Sequence, residues 1–234
     1  MAERITLTTD DEVEIAGTFE NPAQATGAVL CLHMMPTDRT GWSAFQWALS
    51  ERHIASLAID LRGHGESTNR GQLDFRTFED RDHQASRLDV QVAIAWLVAK
   101  GFSRDHIAII GASIGANLAL QALSEDEELR AGALLSPGEN YRGILTLPAV
   151  AKLRDPQALL VISSSDDQES YGASQKIVEG ANIRDKEMIL LENAGHGTRM
   201  FDRQEDLLSL VVEWLRLRLA GPVVRTGPAA SPPR

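Results

Sequence analysis

The chain contains 234 residues, with 23 basic and 33 acidic side chains and a formal net charge of −10. This acidic balance argues against nucleic acid and anionic lipid as partners, because both attract basic proteins. The apolar fraction of 43% is typical of a folded protein, and the length suits one globular domain.

Targeting, cross-linking and metal-binding patterns are absent from the sequence. The first ten residues lack the apolar core of a signal peptide. The longest apolar run, Val92–Ala99, is far shorter than the ~20 residues that cross a bilayer. The single cysteine, Cys31, cannot form an internal disulfide, and no cysteine and histidine spacing indicates a zinc site. We therefore expect a soluble, cytoplasmic protein without a metal.

Runs typical of strands alternate with helical patterns along the chain. Ile5–Leu7 and Val13–Phe19 predict a hairpin, because apolar and polar residues alternate on both sides of a turn at Asp10-Asp11. Continuous apolar runs predict six buried strands at Ala28–Leu32, Ala55–Ile59, Ile107–Ile110, Ala131–Leu135, Ala158–Ile162 and Met188–Leu191. Helical spacing of apolar residues predicts helices at Leu88–Ala99, Ile114–Leu123 and Leu207–Leu217.

This order of elements predicts an α/β fold. About eight strands should form a mostly parallel sheet with helices on both faces, within a single domain over residues 1–220. The segment 221–234 contains four of the nine prolines and shows no periodicity, so we expect a disordered tail. Ligands of such sheets bind at the carboxyl ends of the strands, which is where chemistry is expected.

A serine motif follows the predicted strand Ile107–Ile110. Gly111-Ala112-Ser113-Ile114-Gly115 fits G-x-S-x-G, in which a sharp strand-to-helix turn exposes a nucleophilic serine. The residues two positions away must be small, because the backbone comes close to its neighbours at such a turn. Ser113 is therefore the candidate nucleophile.

Two other loops carry residues of the matching chemistry. Asn193–Gly197 places His196 between glycines after one strand, and Ser163–Asp167 places two acids after another. A lone loop histidine is most often inert, and loop acids are usually only solvated. Serine, acid and histidine nevertheless follow separate strands in the order that a catalytic triad on this fold requires.

These motifs resemble the α/β-hydrolase family over roughly residues 5–217. Asp60–Ser67 is similar to the family's D-x-R-G-x-G-x-S loop, and Leu32–Pro36 is similar to its oxyanion loop, usually written H-G-x. The resemblance implies a catalytic triad of Ser113, Asp167 and His196. It also implies an oxyanion hole made by the backbone N–H groups of Met35 and Ile114.

The chain departs from the family pattern at two points. Met34 stands where a glycine is expected, so Met34 remains an alternative to Met35 as the second oxyanion donor. Ser163-Ser164 stands where many relatives have His-Gly. The usual offset from Ser164 favours Asp167 as the acid and leaves Asp166 as the alternative.

The connection between the sixth and seventh strands bears on the substrate. Pro137–Pro156 is too short for an inserted lid domain, and Ser136–Tyr141 is expected to cross the mouth of the site. We therefore expect an esterase that hydrolyses a small or exposed acyl substrate, with water as the second reactant. The alternatives are a thioesterase, an aminopeptidase-like hydrolase or a non-catalytic ligand receptor. No G-x-G-x-x-G motif opens the first helix, so no cofactor is expected, and the oligomeric state stays open.

Overall fold

The computed structural model describes residues 2–220, so the predicted tail at 221–234 lies outside the described residues. The strands are β1 Glu3–Thr8, β2 Glu14–Glu20, β3 Ala28–Leu32, β4 Ala55–Ile59, β5 Ile107–Ala112, β6 Ala131–Leu135, β7 Asn140–Tyr141, β8 Ile144–Leu145, β9 Ala158–Ser164 and β10 Asp185–Leu191. The α-helices are α1 Ser43–Ser50, α2 Asp80–Gln84, α3 Arg87–Ala99, α4 Ile114–Glu125, α5 Leu147–Val150, α6 Gln168–Gly180, α7 Arg199–Arg203 and α8 Leu207–Leu219.

Eight of the strands form one sheet in the order β1-β2-β4-β3-β5-β6-β9-β10. The hairpin β1–β2 and the pair β2–β4 are antiparallel, and the other pairs are parallel. The predicted eight-stranded, mostly parallel sheet is confirmed. The predicted helices are also present, because their apolar stripes were long enough to show the helical period.

Several helices carried too weak a pattern to be predicted. The buried face of α6 contains Ser170, Ala173, Ser174 and Ile177. Small and polar residues of this kind pack against a sheet without giving a hydrophobic stripe. Helix α1 is only eight residues long, so its period is repeated barely twice.

The core has two layers, one on each face of the sheet. Leu30 and Leu32 of β3 pack with α3, α4 and α6, whereas Val29 and Cys31 of the same strand pack with α1 and α8. This alternation explains why the central strands are apolar at every position. None of the helices between residues 2 and 220 is long and apolar enough to cross a membrane.

The sheet places four loops at one edge. Because β3, β5, β9 and β10 run parallel, the residues after their carboxyl ends lie on the same side of the molecule. These residues include the predicted oxyanion loop and the predicted nucleophile, acid and histidine. Between β6 and β9 the chain forms only the small hairpin β7–β8 and the single-turn helix α5, so no lid domain is present there.

Candidate active site

Ser113 occupies a strained turn between β5 and α4. Its φ and ψ are 54° and −122°, a backbone conformation that costs a residue with a side chain about 1–3 kcal/mol. Its N–H donates to the carbonyl of Leu135 (2.8 Å), which ties the turn to β6. A Cβ atom on Gly115 would lie 2.6 Å from the carbonyl oxygen of His33, so α4 begins in contact with the oxyanion loop. The strained serine is thus held from both neighbouring strands.

The predicted acid and histidine loops are joined residue by residue. Four successive side chains of one loop bond to four residues of the other, in the pairs Ser164–Ala194, Ser165–Asn193, Asp166–Gly195 and Asp167–His196. In the first three pairs a backbone N–H of the histidine loop donates to a side-chain oxygen. Ser164, which stands at the second position of the usual His-Gly, therefore holds the histidine loop together with Ser165.

Asp167 and His196 form the fourth pair through their side chains. Asp167 Oδ2 lies 2.6 Å from His196 Nδ1, and the two side chains are 16% and 36% exposed. Because the carboxylate accepts from Nδ1–H, the other ring nitrogen, Nε2, is free to act as a base. Asp167 is also the residue that precedes α6, so the helix start fixes its backbone.

Asp166, the alternative acid, has different neighbours. Its carboxylate accepts from the Ser164 hydroxyl and from the Gly195 N–H (3.0 Å), and Arg203 lies 3.7 Å away. These contacts, led by the Ser164 hydroxyl, hold the pKa of Asp166 below its usual range. The structure brings Asp167, and not Asp166, to the histidine.

The serine and histidine loops meet through residues next to Ser113 and His196. The Gly197 N–H donates to Ser136 Oγ (2.9 Å), and Ser136 follows the residue that accepts from the Ser113 N–H. A Cβ atom on Gly197 would lie 3.4 Å from the Cβ of Ala112. The hydrogen bonds among residues 2–220 include the Asp167–His196 pair and do not include a Ser113–His196 pair.

The predicted oxyanion loop is shaped by His33. The ring accepts from the Leu61 N–H at Nε2 (2.9 Å), and its Nδ1 donates to the carbonyl of Met34 (3.0 Å). Burial lowers the pKa of His33 to about 4, so the ring is neutral. Thr37 donates to the same Met34 carbonyl from its N–H (3.0 Å) and its hydroxyl (2.7 Å).

These bonds also orient the next amide. In a trans peptide the N–H points opposite to the carbonyl, so the Met35 N–H points away from the groups that bind the Met34 carbonyl. The N–H groups of Met35 and Ile114 donate to no other atom of residues 2–220. Both predicted oxyanion donors are therefore unengaged.

Met34 itself packs against the histidine loop at Gly197. A Cβ atom on Gly197 would lie 2.5 Å from Met34 Sδ, and Gly197 has a φ of +61°. Met34 is almost fully buried, with Ala112 and Met200 in the same apolar cluster. The thioether thus occupies the space that the expected glycine would leave open.

The loop Asp60–Ser67 has a structural environment. The buried Asp60 carboxylate accepts from the N–H groups of Arg39 and Glu66 (both 2.8 Å) and pairs with the Arg39 guanidinium. His64 stacks on Phe75 with ring centroids 4.0 Å apart. None of these groups belongs to the loops that carry Ser113, Asp167 or His196.

Three residues at the site had no predicted role, although the segment Ser136–Tyr141 was expected at its mouth. Tyr141 and Ser136 lie on the connection after β6, and Ser170 lies on α6. Their signal in the sequence was only their position, because a tyrosine or a serine near a strand end is common and carries no motif. No group of three or more His, Cys, Asp or Glu side chains in the described part of the chain could hold a metal ion.

Comparison with known proteins agrees with this architecture. A family model described as the alpha/beta hydrolase family matches residues 29–151, and the chain belongs to this family. No curated protein sequence matches the chain.

Solved structures share the fold over nearly the whole chain. An esterase from Pyrococcus furiosus has 20% identity and a TM-score of 0.77, with coverage of 94% of this chain and 93% of that chain. Dienelactone hydrolase from Anabaena variabilis has 20% identity and a TM-score of 0.74, with coverage of 93% and 96%. The esterase domain of a Rhodothermus marinus protein has 16% identity and a TM-score of 0.71, with coverage of 94% and 99%.

Proposed function

We propose that this α/β hydrolase is a serine esterase that cleaves the carboxylic ester of a small or exposed acyl substrate. The observation that carries the proposal is the 2.6 Å contact between Asp167 and His196, at the sheet edge where Ser113 occupies its strained turn. A non-catalytic receptor would not require a histidine held in one tautomer at this sheet edge. The esterase names of similar structures agree with the proposal.

The mechanism follows from the roles of the three side chains. His196 Nε2 takes the proton of Ser113 as Oγ attacks the acyl carbonyl, and Asp167 holds the imidazole in the required tautomer. The serine–histidine hydrogen bond forms when substrate binds, because such bonds are often long in free enzymes. His196 then gives the proton to the leaving alcohol, and water releases the acyl group by the same steps.

The charge on the tetrahedral intermediate is stabilised by backbone donors. The proposed donors are the N–H groups of Ile114 and Met35, and both are free in the structure. Loss of one such donor typically raises the barrier by ~3 kcal/mol. The Met34 carbonyl, held by His33 and Thr37, orients the Met35 donor.

The substrate class rests on the connection between β6 and β9. A hairpin of two short strands and one helical turn stands where larger relatives of this fold insert a lid domain. Without such a domain the site has few walls to enclose a long acyl chain. We therefore favour short-chain esters over triglycerides.

Labelling with a fluorophosphonate probe tests the nucleophile directly. We expect the wild-type protein to be labelled and Ser113→Ala to be unlabelled, with hydrolysis of p-nitrophenyl acetate reduced at least about a thousandfold. Ser124→Ala is the matched control, because Ser124 only donates to the Gln121 carbonyl at the far end of α4. An unlabelled wild-type protein would favour the receptor alternative. A preference for thioester or aminoacyl-amide substrates over esters would correct the substrate class.

A further inference from the structure

The hairpin β7–β8 is fixed to the helix that begins after Ser113. Asn117, one turn into α4 and fully buried, uses both atoms of its amide. Its Nδ2 donates to the carbonyl of Ile144 (2.8 Å), and its Oδ1 accepts from the N–H of Gly138 (3.0 Å). The hairpin therefore has a defined position relative to Ser113.

Tyr141 is the side chain that this hairpin presents at the site. Its hydroxyl lies 3.2 Å from Ser170 Oγ, three residues after Asp167. A Cβ atom on Gly138 would lie 2.6 Å from the ring carbon that bears the hydroxyl, so this end of the ring rests on Gly138. Burial raises the pKa of Tyr141 above its usual range, while the hydroxyls of Ser170, which is its hydrogen-bond partner, and of Ser113 act in the opposite direction. Tyr141 is therefore a protonated donor at neutral pH.

The sheet order decides which side of Ser113 this donor faces. Strand β5 lies between β3 and β6. The oxyanion loop follows β3, whereas Tyr141 follows β6 and its partner Ser170 follows β9. Tyr141 thus lies across Ser113 from the oxyanion loop, on the side of Asp167 and His196. The leaving group belongs on this side, because His196 must protonate its oxygen.

We propose that the Tyr141 hydroxyl binds the leaving group of the ester and that the preferred alcohols carry an oxygen acceptor near the ester bond. This inference rests on the proposed esterase function. In the complex Tyr141 donates to the ether or hydroxyl oxygen of the alcohol, and Ser170 donates to the Tyr141 oxygen. The bond to Ser170 is thereby kept, with Ser170 as its donor.

Two acetate esters of almost equal shape test the proposal. 2-Methoxyethyl acetate has an ether oxygen where n-butyl acetate has a methylene group. We expect Tyr141→Phe to lower kcat/KM for the methoxyethyl ester about fivefold and to change kcat/KM for the butyl ester less than twofold, as the loss of one neutral hydrogen bond predicts. Each loss is the ratio of wild-type to variant kcat/KM on the same ester, so the different intrinsic reactivity of the two esters cancels.

Two further variants separate this role from a structural one. Tyr171→Phe is the matched control, because Tyr171 is the other tyrosine of the chain and its hydroxyl accepts from Gln175 (3.2 Å). Tyr171→Phe should leave the ratio of kcat/KM between the methoxyethyl and butyl esters unchanged. Gly138→Ala should reproduce the effect of Tyr141→Phe, because its methyl group displaces the hydroxyl end of the ring.

The outcomes are decisive and distinguish the two proposals. Equal losses on both esters, or no loss on either, would show that Tyr141 does not bind the alcohol. If Tyr141→Phe instead lowered kcat/KM for a methoxyacetate ester more than for the matching butyrate ester, Tyr141 would lie at the acyl group, and the inference would be overturned. Full activity in Ser113→Ala would overturn the esterase mechanism itself, whereas an inactive Ser113→Ala with an unchanged Tyr141→Phe ratio would overturn only the role of Tyr141.

Discussion

Asp166 and Asp167 are neighbours in the chain, yet their carboxylates have separate roles. Asp166 accepts from Ser164 and from the Gly195 N–H, and so shapes the loop before His196. Asp167 contacts the imidazole itself. One carboxylate thus positions the loop, and the other positions the ring.

Exchanging each acid for its amide should separate these roles. We expect Asp167→Asn to lower kcat about 10⁴-fold, because an amide can favour the wrong tautomer of His196. Asp166→Asn keeps an acceptor for the Gly195 N–H and should lower kcat less than about tenfold. Steady-state kinetics with p-nitrophenyl acetate measures both, with circular dichroism to check the fold. A larger loss in Asp166→Asn would show that the acids are assigned the wrong way round.

Buried histidines make the stability of the protein depend on pH. Burial is the main cause that lowers the pKa of His33 and of His64 to about 4, from an ordinary value of 6.5. Between these values the unfolded chain binds protons that the folded chain does not. The contribution of these histidines to the free energy of unfolding should therefore be fully present above pH 6.5 and should fall as the pH drops toward 4, by roughly 3 kcal/mol for each histidine. Asp89, whose pKa burial raises to about 6, opposes part of this fall.

Urea unfolding between pH 7.5 and 4.5 checks this expectation. In His64→Phe the slope of the free energy of unfolding against pH should be smaller by the contribution of one histidine. Phenylalanine keeps the stacking on Phe75 but has no titrating group. The variant also loses the bond from His64 Nδ1 to the Arg62 carbonyl (3.0 Å), so its stability at pH 7.5 should be lower. An unchanged slope in His64→Phe would contradict the assignment to this ring.

At the scale of elements, the histidine loop is held from two directions. The acid loop binds it through Ser164, Ser165 and Asp166, and Met34 packs against Gly197 from below. The loop therefore depends on a methionine at the position where the family usually has glycine. This contact couples the oxyanion loop to the histidine loop.

A double-mutant cycle can measure this coupling. Gly197→Ala should lower kcat at least about a hundredfold, because its methyl group overlaps Met34 Sδ and its φ of +61° is strained for alanine. Adding Met34→Ala should restore part of the loss by removing the overlap, while the backbone strain remains. Kinetics of the wild type, both single variants and the double variant give the coupling energy. Strictly additive losses would show that the two residues do not act through this contact.

At the scale of the whole molecule, a buried ion pair joins the amino-terminal hairpin to the sheet and to α3. The Arg62 guanidinium pairs with Asp89 on α3 (2.8 Å) and with Asp11 at the β1–β2 turn (2.7 Å). The Arg62 N–H also donates to Asp89, which is fully buried. Three segments distant in the sequence thus share one charge cluster, in which Arg62 and Asp89 are buried and Asp11 is exposed.

Breaking this pair should cost more than replacing it. Asp89→Ala leaves the Arg62 charge buried with only Asp11 and should lower the free energy of unfolding by about 3–5 kcal/mol. The double variant Arg62→Met/Asp89→Leu should recover much of that loss, because no unpaired buried charge remains. Urea unfolding at pH 7.5 measures both. A double variant less stable than Asp89→Ala would contradict a purely electrostatic cost.

The strands of the main sheet, the helices with a clear apolar stripe and the residues of the proposed triad could be predicted from local sequence patterns and chain order. A buried strand needs apolar residues at every position, and an elbow serine needs small neighbours, so both requirements are visible in a short stretch such as Ile107–Gly115. The order of Ser113, an acid and His196 along the chain then indicated that the three residues form one set. These properties are local, or are set by the order of the elements.

The contacts between the loops, in contrast, depend on how the whole chain folds. Asp166 and Asp167 are chemically identical, and which of them meets His196 depends on how α6 begins and how the two loops pair. The same holds for Tyr141, which reaches the site because Asn117 fixes its hairpin. Such contacts join residues far apart in the chain, and no local pattern of residue types specifies the distance between them.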